Sequence, residues 1–270
     1  MFMNESRRGF AKKIGLAGAG AAAFLARPDV ASAAVTDIDI LNFALNLEYL
    51  EAEFYSLGTV GKTIDQLGIN ISGLTLGGAT TGGSQVSFFN NSTLNNSLLQ
   101  IAADERAHVT LLQTAIKGLG GTPIAKPAIN LNALGIGFAS QEQFISLARI
   151  FEDIGVSAYG GAAPMISSST ILGYAARILA AEGYHAANLR LHAALYQAPG
   201  LLLDGADSVP PPTGTAYFPT NASGLPPVRT PGQVLYLAYG NAANATSGGF
   251  FPNGVNGTIN ASTTAATSNT

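Results

Sequence analysis

The chain repeats one unit of helix-borne chemistry. A Glu and a Tyr seven residues apart occur at Glu48 and Tyr55 and again at Glu152 and Tyr159, and each pair is followed by a Glu-x-x-His motif, at Glu105 to His108 and at Glu182 to His185. Seven residues is two helical turns, so each Tyr shares a stripe with its Glu; three residues puts each Glu and His on one face. The stripes are otherwise apolar, with Leu41, Ala44, Leu45 and Ala52 around Glu48, and Ile145, Ala148 and Val156 around Glu152. A lone carboxylate on a core-facing stripe costs several kcal/mol unless it is paired, protonated or bound to a metal. The fold must therefore bring four such faces to one interior.

Composition makes that placement informative. Charged residues are only 11% of the chain, against about 25% in an ordinary soluble domain. A net charge of -3 offers no basic field for nucleic acid. With no cysteine, disulfides, thiolate nucleophiles and Cys-ligated metals are excluded, so metal chemistry must use His, Asp and Glu.

Helical periodicity predicts four long helices. The first spans 36–57, with Thr36 or Asp37 as N-cap and Gly58 as its stop. Ser92 or Thr93 caps the second, which reaches Lys117 before Gly118, Gly120 and Gly121. The third starts at Ser140, in a capping-box pattern with Gln143, and runs to Tyr159; the fourth spans 168–197. Strand signals are weak, so an all-α four-helix bundle is expected over 35–198. The Gly/Thr/Ser-rich stretch 59–91 reads as a surface excursion, and the long link between the second and third helices as a crossover. From 199 to 270 an irregular Pro/Gly/Asn-rich extension follows, with one short helix at 230–239 and a frayed end beyond Asn253.

Residues 1–34 read as an export signal. Ser6-Arg7-Arg8-Gly9-Phe10-Ala11-Lys12 fits the twin-arginine pattern, an apolar run spans 14–25, and Ala31-Ser32-Ala33 is a small-residue cleavage site. The expected partner is the twin-arginine translocase, and the destination the periplasm or the exterior, with no membrane span left after cleavage. That route carries folded proteins, which suits metal loading before export. The segment holds five basic residues (Arg7, Arg8, Lys12, Lys13, Arg27) and two acids (Glu5, Asp29), so cleavage after Ala33 takes the net charge from -3 to -6.

Four glutamates and two histidines converging in a bundle core form the donor set of di-iron and di-manganese carboxylate proteins. Hard carboxylates with two imidazoles suit two Fe or two Mn ions, or Zn. The competing structural reading, buried salt bridges, finds few cations in register, since Arg106 and Arg149 are spaced onto other faces. Glu51 and Glu53 read as a solvated or bundle-edge face, with Glu51 as reserve ligand to Glu48. His192, two turns beyond His185, reads as a capped or supporting histidine. Tyr55 and Tyr159 are candidate hydrogen-bond donors to the site, electron relays or core aromatics.

At these residues the sequence resembles the ferritin-like superfamily, and more narrowly its exported, desiccation-related group. Leu41-Asn42, Leu45, Glu48, Ala52 and Tyr55 are similar to the first helix of bacterioferritins and rubrerythrins. The segment from Arg229-Thr230-Pro231-Gly232-Gln233 to Tyr239-Gly240, with Gly248-Gly249-Phe250-Phe251-Pro252-Asn253-Gly254, is similar to the narrower group's C-terminal signature. The resemblance implies Glu48, Glu105, His108, Glu152, Glu182 and His185 as metal ligands, with Glu105 and Glu152 as bridges and Asp104 hydrogen-bonding a ligand histidine. Ala181, before Glu182, breaks that last pattern in the second motif. The tail and the long first connection would obstruct the cage packing of storage ferritins, though a homo-oligomer remains open. The expected activity is redox chemistry on oxygen or peroxide, ferroxidase-like or manganese-catalase-like, in stress protection. The alternative is a non-enzymatic desiccation or envelope protein whose metal is structural or absent.

Overall fold

A computed structural model describes residues 35–87, 92–200, 211–212 and 214–268. The export signal expected at 1–34 lies outside the described residues. Four long helices, α1 (Asp37–Val60), α2 (Ser92–Gly118), α3 (Gln141–Ala162) and α4 (Ser169–Leu195), are followed by the short α5 (Pro231–Ala238). No helix among the described residues is long and apolar enough to cross a membrane.

Side-chain pairings fix the directions. Gln113 of α2 donates to the Tyr49 hydroxyl at 2.8 Å and Arg106 to Ser56 at 3.0 Å, so α1 and α2 are antiparallel. Tyr159 meets Glu48, and Gly58 meets the Phe144 ring, so α1 and α3 are antiparallel as well. Asn188 to Ser97 and His185 to Asp104 run α4 against α2. The order is up, down, down, up. Because α2 and α3 are parallel, their link must cross the length of the bundle, as the sequence implies.

Caps follow the local chemistry. Thr36 caps α1 in a full capping box with Asp39. Ser140 accepts from the Gln143 N–H, but the Gln143 side chain turns back to the Gly137 N–H, so only half of the expected box forms. For α2, Ser92 and Thr93 fall inside the first turn, and the residue before them is outside the described residues.

Gly58 does not end α1. The helix continues to Val60 and stops at Gly61, whose φ of 69° is left-handed. Gly58 is there for proximity: a Cβ would lie 2.1 Å from Cε2 of Phe144. The stretch after α1 runs over the surface, as the sequence implies, but it is pinned to the bundle at a few points. Ile64 is fully buried, Lys126 pairs with Glu53 at 3.2 Å, and strands β1 (Thr80–Thr81) and β2 (Ile129–Asn130) join the two long connections in a parallel ladder. The connections thus clothe one side of α1.

The expected fraying beyond Asn253 is likewise corrected. Asn46 and Asn256 exchange side-chain to backbone hydrogen bonds at 2.8 and 2.9 Å, Thr258 donates to Asp39, and Val255 and Ala266 are buried. Arg229, 1% exposed, donates to the Ala266 carbonyl at 3.0 Å and to Ser157 of α3 at 3.1 Å. A polar tail packs here because its amides find partners on the bundle. Clothed by connections and tail, α1 has buried residues on every face.

Candidate metal centre

Midway along the bundle the six predicted donors come together in two overlapping groups. Glu48, Glu105, His108 and Glu182 form one; Glu105, Glu152, Glu182 and His185 form the other; within each group the donor atoms lie within 4.8 Å of one another. Every helix of the bundle contributes, and all four carboxylates are 0% exposed. Both histidines present Nδ1 inward. His108 Nδ1 is 3.3 Å from Glu48 Oε2 and 3.3 Å from Glu105 Oε2; His185 Nδ1 is 3.0 Å from Glu105 Oε1 and 3.2 Å from Glu152 Oε2.

Glu105 therefore offers one oxygen to each half of the cluster. The second shared carboxylate is Glu182, not Glu152: Glu182 Oε1 lies 3.8 Å from His108 Nδ1, while Glu152 belongs only to the His185 group. The resemblance implies Glu105 and Glu152 as bridges; by proximity it is Glu105 and Glu182 that fall in both groups. The reason is topological. The two Glu-x-x-His helices, α2 and α4, face each other across the centre and carry the shared carboxylates, while α1 and α3 each supply one flanking carboxylate.

The tyrosines act across helices. Tyr159 donates to Glu48 of α1, and the Tyr55 hydroxyl faces Glu152 of α3 without closing a hydrogen bond of ordinary geometry. When two antiparallel helices each carry Glu and Tyr two turns apart, each Tyr falls level with the other helix's Glu. Outside the donors, Asp104 Oδ2 is 3.3 Å from His185 Nε2 and orients that ring. His108 has no matching carboxylate from position 181, which is Ala. Its ring instead borders a pocket with Arg177 and Tyr174.

The donors fit a metal. Glu152 Oε1 and Glu182 Oε2 are buried without a hydrogen-bond partner, and Glu48 Oε2, Glu105 Oε1, Glu152 Oε2 and Glu182 Oε1 meet the inward histidine Nδ1 atoms, none in a hydrogen bond of ordinary geometry. Buried polar atoms in such numbers are costly unless something else satisfies them. Burial, then the charges of Glu105, Glu152, Glu51 and Glu48, pushes Glu182 well above the usual carboxylate range. Burial works against charge on the histidines, but Glu48 and Glu105 hold His108 up to about 11, and Glu152 and Glu105 hold His185 up to about 11. The cluster thus retains protons at neutral pH that bound cations would replace.

Two glutamates assigned to the surface by sequence are buried. Glu53 accepts from Lys126 and from the Ile64 N–H at 3.2 Å. Its partner lies 73 residues away, and nothing local announces it. Glu51 is 5% exposed and faces the cluster; burial, then Glu105, Glu152 and Glu48, raises it well above the usual range. Its position three residues after Glu48, the spacing of the Glu-x-x-His motifs, was the available signal. His192 joins neither donor group; its ring lies against Tyr196, and burial holds it below its ordinary value.

An up-down-down-up helical bundle with a buried carboxylate and histidine cluster defines a ferritin-like fold with a candidate metal site. The chain belongs to the ferritin-like domain family, which matches residues 36–195. Among curated proteins it is similar to the desiccation-related protein PCC13-62 of Craterostigma plantagineum, at 27% identity over 60% of this chain and 54% of that protein. The chain thus spans about half the length of that relative. It is also similar to the ferritin-like catalase Nec2 of Nesocodon mauritianus, at 24% identity over 83% of this chain and 84% of that protein.

Proposed function

We propose that the chain is an exported ferritin-like protein that holds two metal ions, Mn or Fe, and disproportionates hydrogen peroxide. The observation that carries this reading is the doubled donor set, in which Glu105 and Glu182 are shared between two histidine groups. The similarity to a protein named as a ferritin-like catalase supports peroxide over Fe(II) as the substrate. When bound, the metal pair supplies the reversible two-electron change that oxidises one peroxide to oxygen and reduces another to water.

The chain's own residues set the conditions. Glu105 and Glu182, common to both donor groups, would hold the ions together with His108 and His185, and Glu48 and Glu152 would each supply a carboxylate to one group. Tyr159 keeps one oxygen of Glu48 engaged, and Asp104 fixes the His185 ring so that Nδ1 points inward. The surrounding apolar side chains exclude bulk water and keep these charges strong.

The test is metal analysis of protein purified from its own host, followed by oxygen release on adding peroxide. Glu105→Ala and His108→Ala should each lose bound metal and turnover together. A folded protein that takes up neither Mn(II) nor Fe(II) would overturn the reading. Rapid Fe(II) oxidation without peroxide turnover would replace it with a ferroxidase. The desiccation-related relative favours one other reading, a protective protein with a structural metal, which predicts bound metal and no turnover. Export by the twin-arginine route rests on the sequence of 1–34; an Arg7→Lys, Arg8→Lys pair still delivered to the periplasm would refute that route.

A further inference from the structure

The bundle opens in two chemically different directions. On the α2 and α4 side the openings carry polar groups: Ser97, Gln100, Asp104 and Asn188 border His185, and Arg177 borders His108 among Leu111, Tyr174 and Ile178. On the opposite side, between α1, α3 and α5, lies a pocket of about 30 Å³ whose walls are apolar apart from Glu51. Leu50, Phe151 and Ile154 of the bundle face Leu237 and Ala238 of the C-terminal extension across it. That volume holds one very small molecule.

None of the six donors lines the pocket; its residues nearest the cluster are Glu51 and Gly155. Gly155 lines it, and a Cβ at Gly155 would sit 2.2 Å from Glu182 Oε2 and 3.5 Å from Glu51 Oε1. A bare glycine thus stands between the pocket and a shared carboxylate. Glu51 lines the same wall, and no described residue donates a hydrogen bond to it. A second apolar cavity of similar size touches Tyr159, but that hydroxyl is already committed to Glu48.

We propose that the uncharged oxidant reaches the centre through this pocket, with Glu51 and Gly155 forming its inner end and the C-terminal extension its roof. Apolar walls reject hydrated ions, which are left the other openings; hydrogen peroxide, which also sheds water there, regains a hydrogen bond by donating to Glu51, and the volume excludes organic hydroperoxides. The inference rests on the proposed function and assigns the extension a part in it.

The test uses two probes on the mature chain. Xenon, applied under pressure to crystals of metal-free protein, should occupy this pocket and be lost in Ala238→Phe. Metal-loaded Ala238→Phe should keep wild-type metal content while its turnover of hydrogen peroxide falls by an order of magnitude. Ile154→Phe fills the same space from the bundle side and serves if the first variant fails to fold. Xenon beside Tyr159 and not here, or a filled pocket with full metal and wild-type turnover, would overturn the route. So would equal turnover of tert-butyl hydroperoxide by the wild type. Failure to load metal would instead refute the proposed function, and the xenon site separates the two outcomes.

Discussion

Gly155 and Glu51 stand at matching places in the two halves of the chain, each three residues after a flanking glutamate, and there the duplication breaks. One half places a fifth carboxylate at the cluster; the other removes the side chain altogether, and Glu182 occupies the space left. Gly155→Ala should therefore be far costlier than a helix-interior Gly→Ala, which ordinarily stabilises by up to about 1 kcal/mol. With a Cβ 2.2 Å from Glu182 Oε2, we expect a loss of about 1–3 kcal/mol in thermal unfolding and weakened metal uptake. An Ala variant with wild-type melting and metal content would show that Glu182 has room to move. The break in symmetry was written in the sequence, but its meaning was not: Glu51 and Glu53 differ by two residues, and only the packed structure sends one to the cluster and the other to Lys126.

Among the helices, α1 depends most on what surrounds it. Gly58 looks like a helix stop because glycine commonly is one, yet the helix passes through it so that the Phe144 ring can lie against the backbone. Gly58→Ala should destabilise by about 1–3 kcal/mol in chemical denaturation. Combining it with Phe144→Leu should recover part of the loss; strictly additive costs would refute the contact. At its other end α1 is tied to the start of α4: the Asp37 carboxylate accepts from the Ser167 N–H at 2.7 Å and the Ser168 N–H at 2.8 Å. The Ser167 backbone bond first, and then those from Ser168 and the Ser167 hydroxyl, hold Asp37 below its ordinary value despite slight burial. A depressed carboxylate stabilises the fold above its unfolded value, about 4, and that contribution is lost as pH falls through the lower folded value. Asp37→Asn should thus lower the unfolding temperature at neutral pH, and the gap to wild type should close in acid. A gap that widened in acid would contradict the assignment.

At the scale of the whole molecule, the C-terminal extension completes the bundle. Asn46 and Asn256, 210 residues apart, lock the tail to α1, and Arg229 locks it to α3. Asn46→Leu leaves the Asn256 backbone groups unpaired in a part-buried site and should cost about 1–3 kcal/mol, with early proteolytic cleavage of the tail as its signature. Cleavage no faster than in wild type would show that the tail is held elsewhere. The sequence by itself determined the four helices, the inward faces of six donors and the crossover, because helical periodicity and repeated spacing act within one segment. Only the tertiary structure decided that Glu182 is shared rather than Glu152, that each tyrosine serves the opposite helix, that Glu51 faces the cluster, and that polar connections and tail wrap α1. Local spacing tells a side chain which face of its own helix it occupies; which helix, at what height and in what direction, stands opposite is set by contacts between residues far apart in the chain.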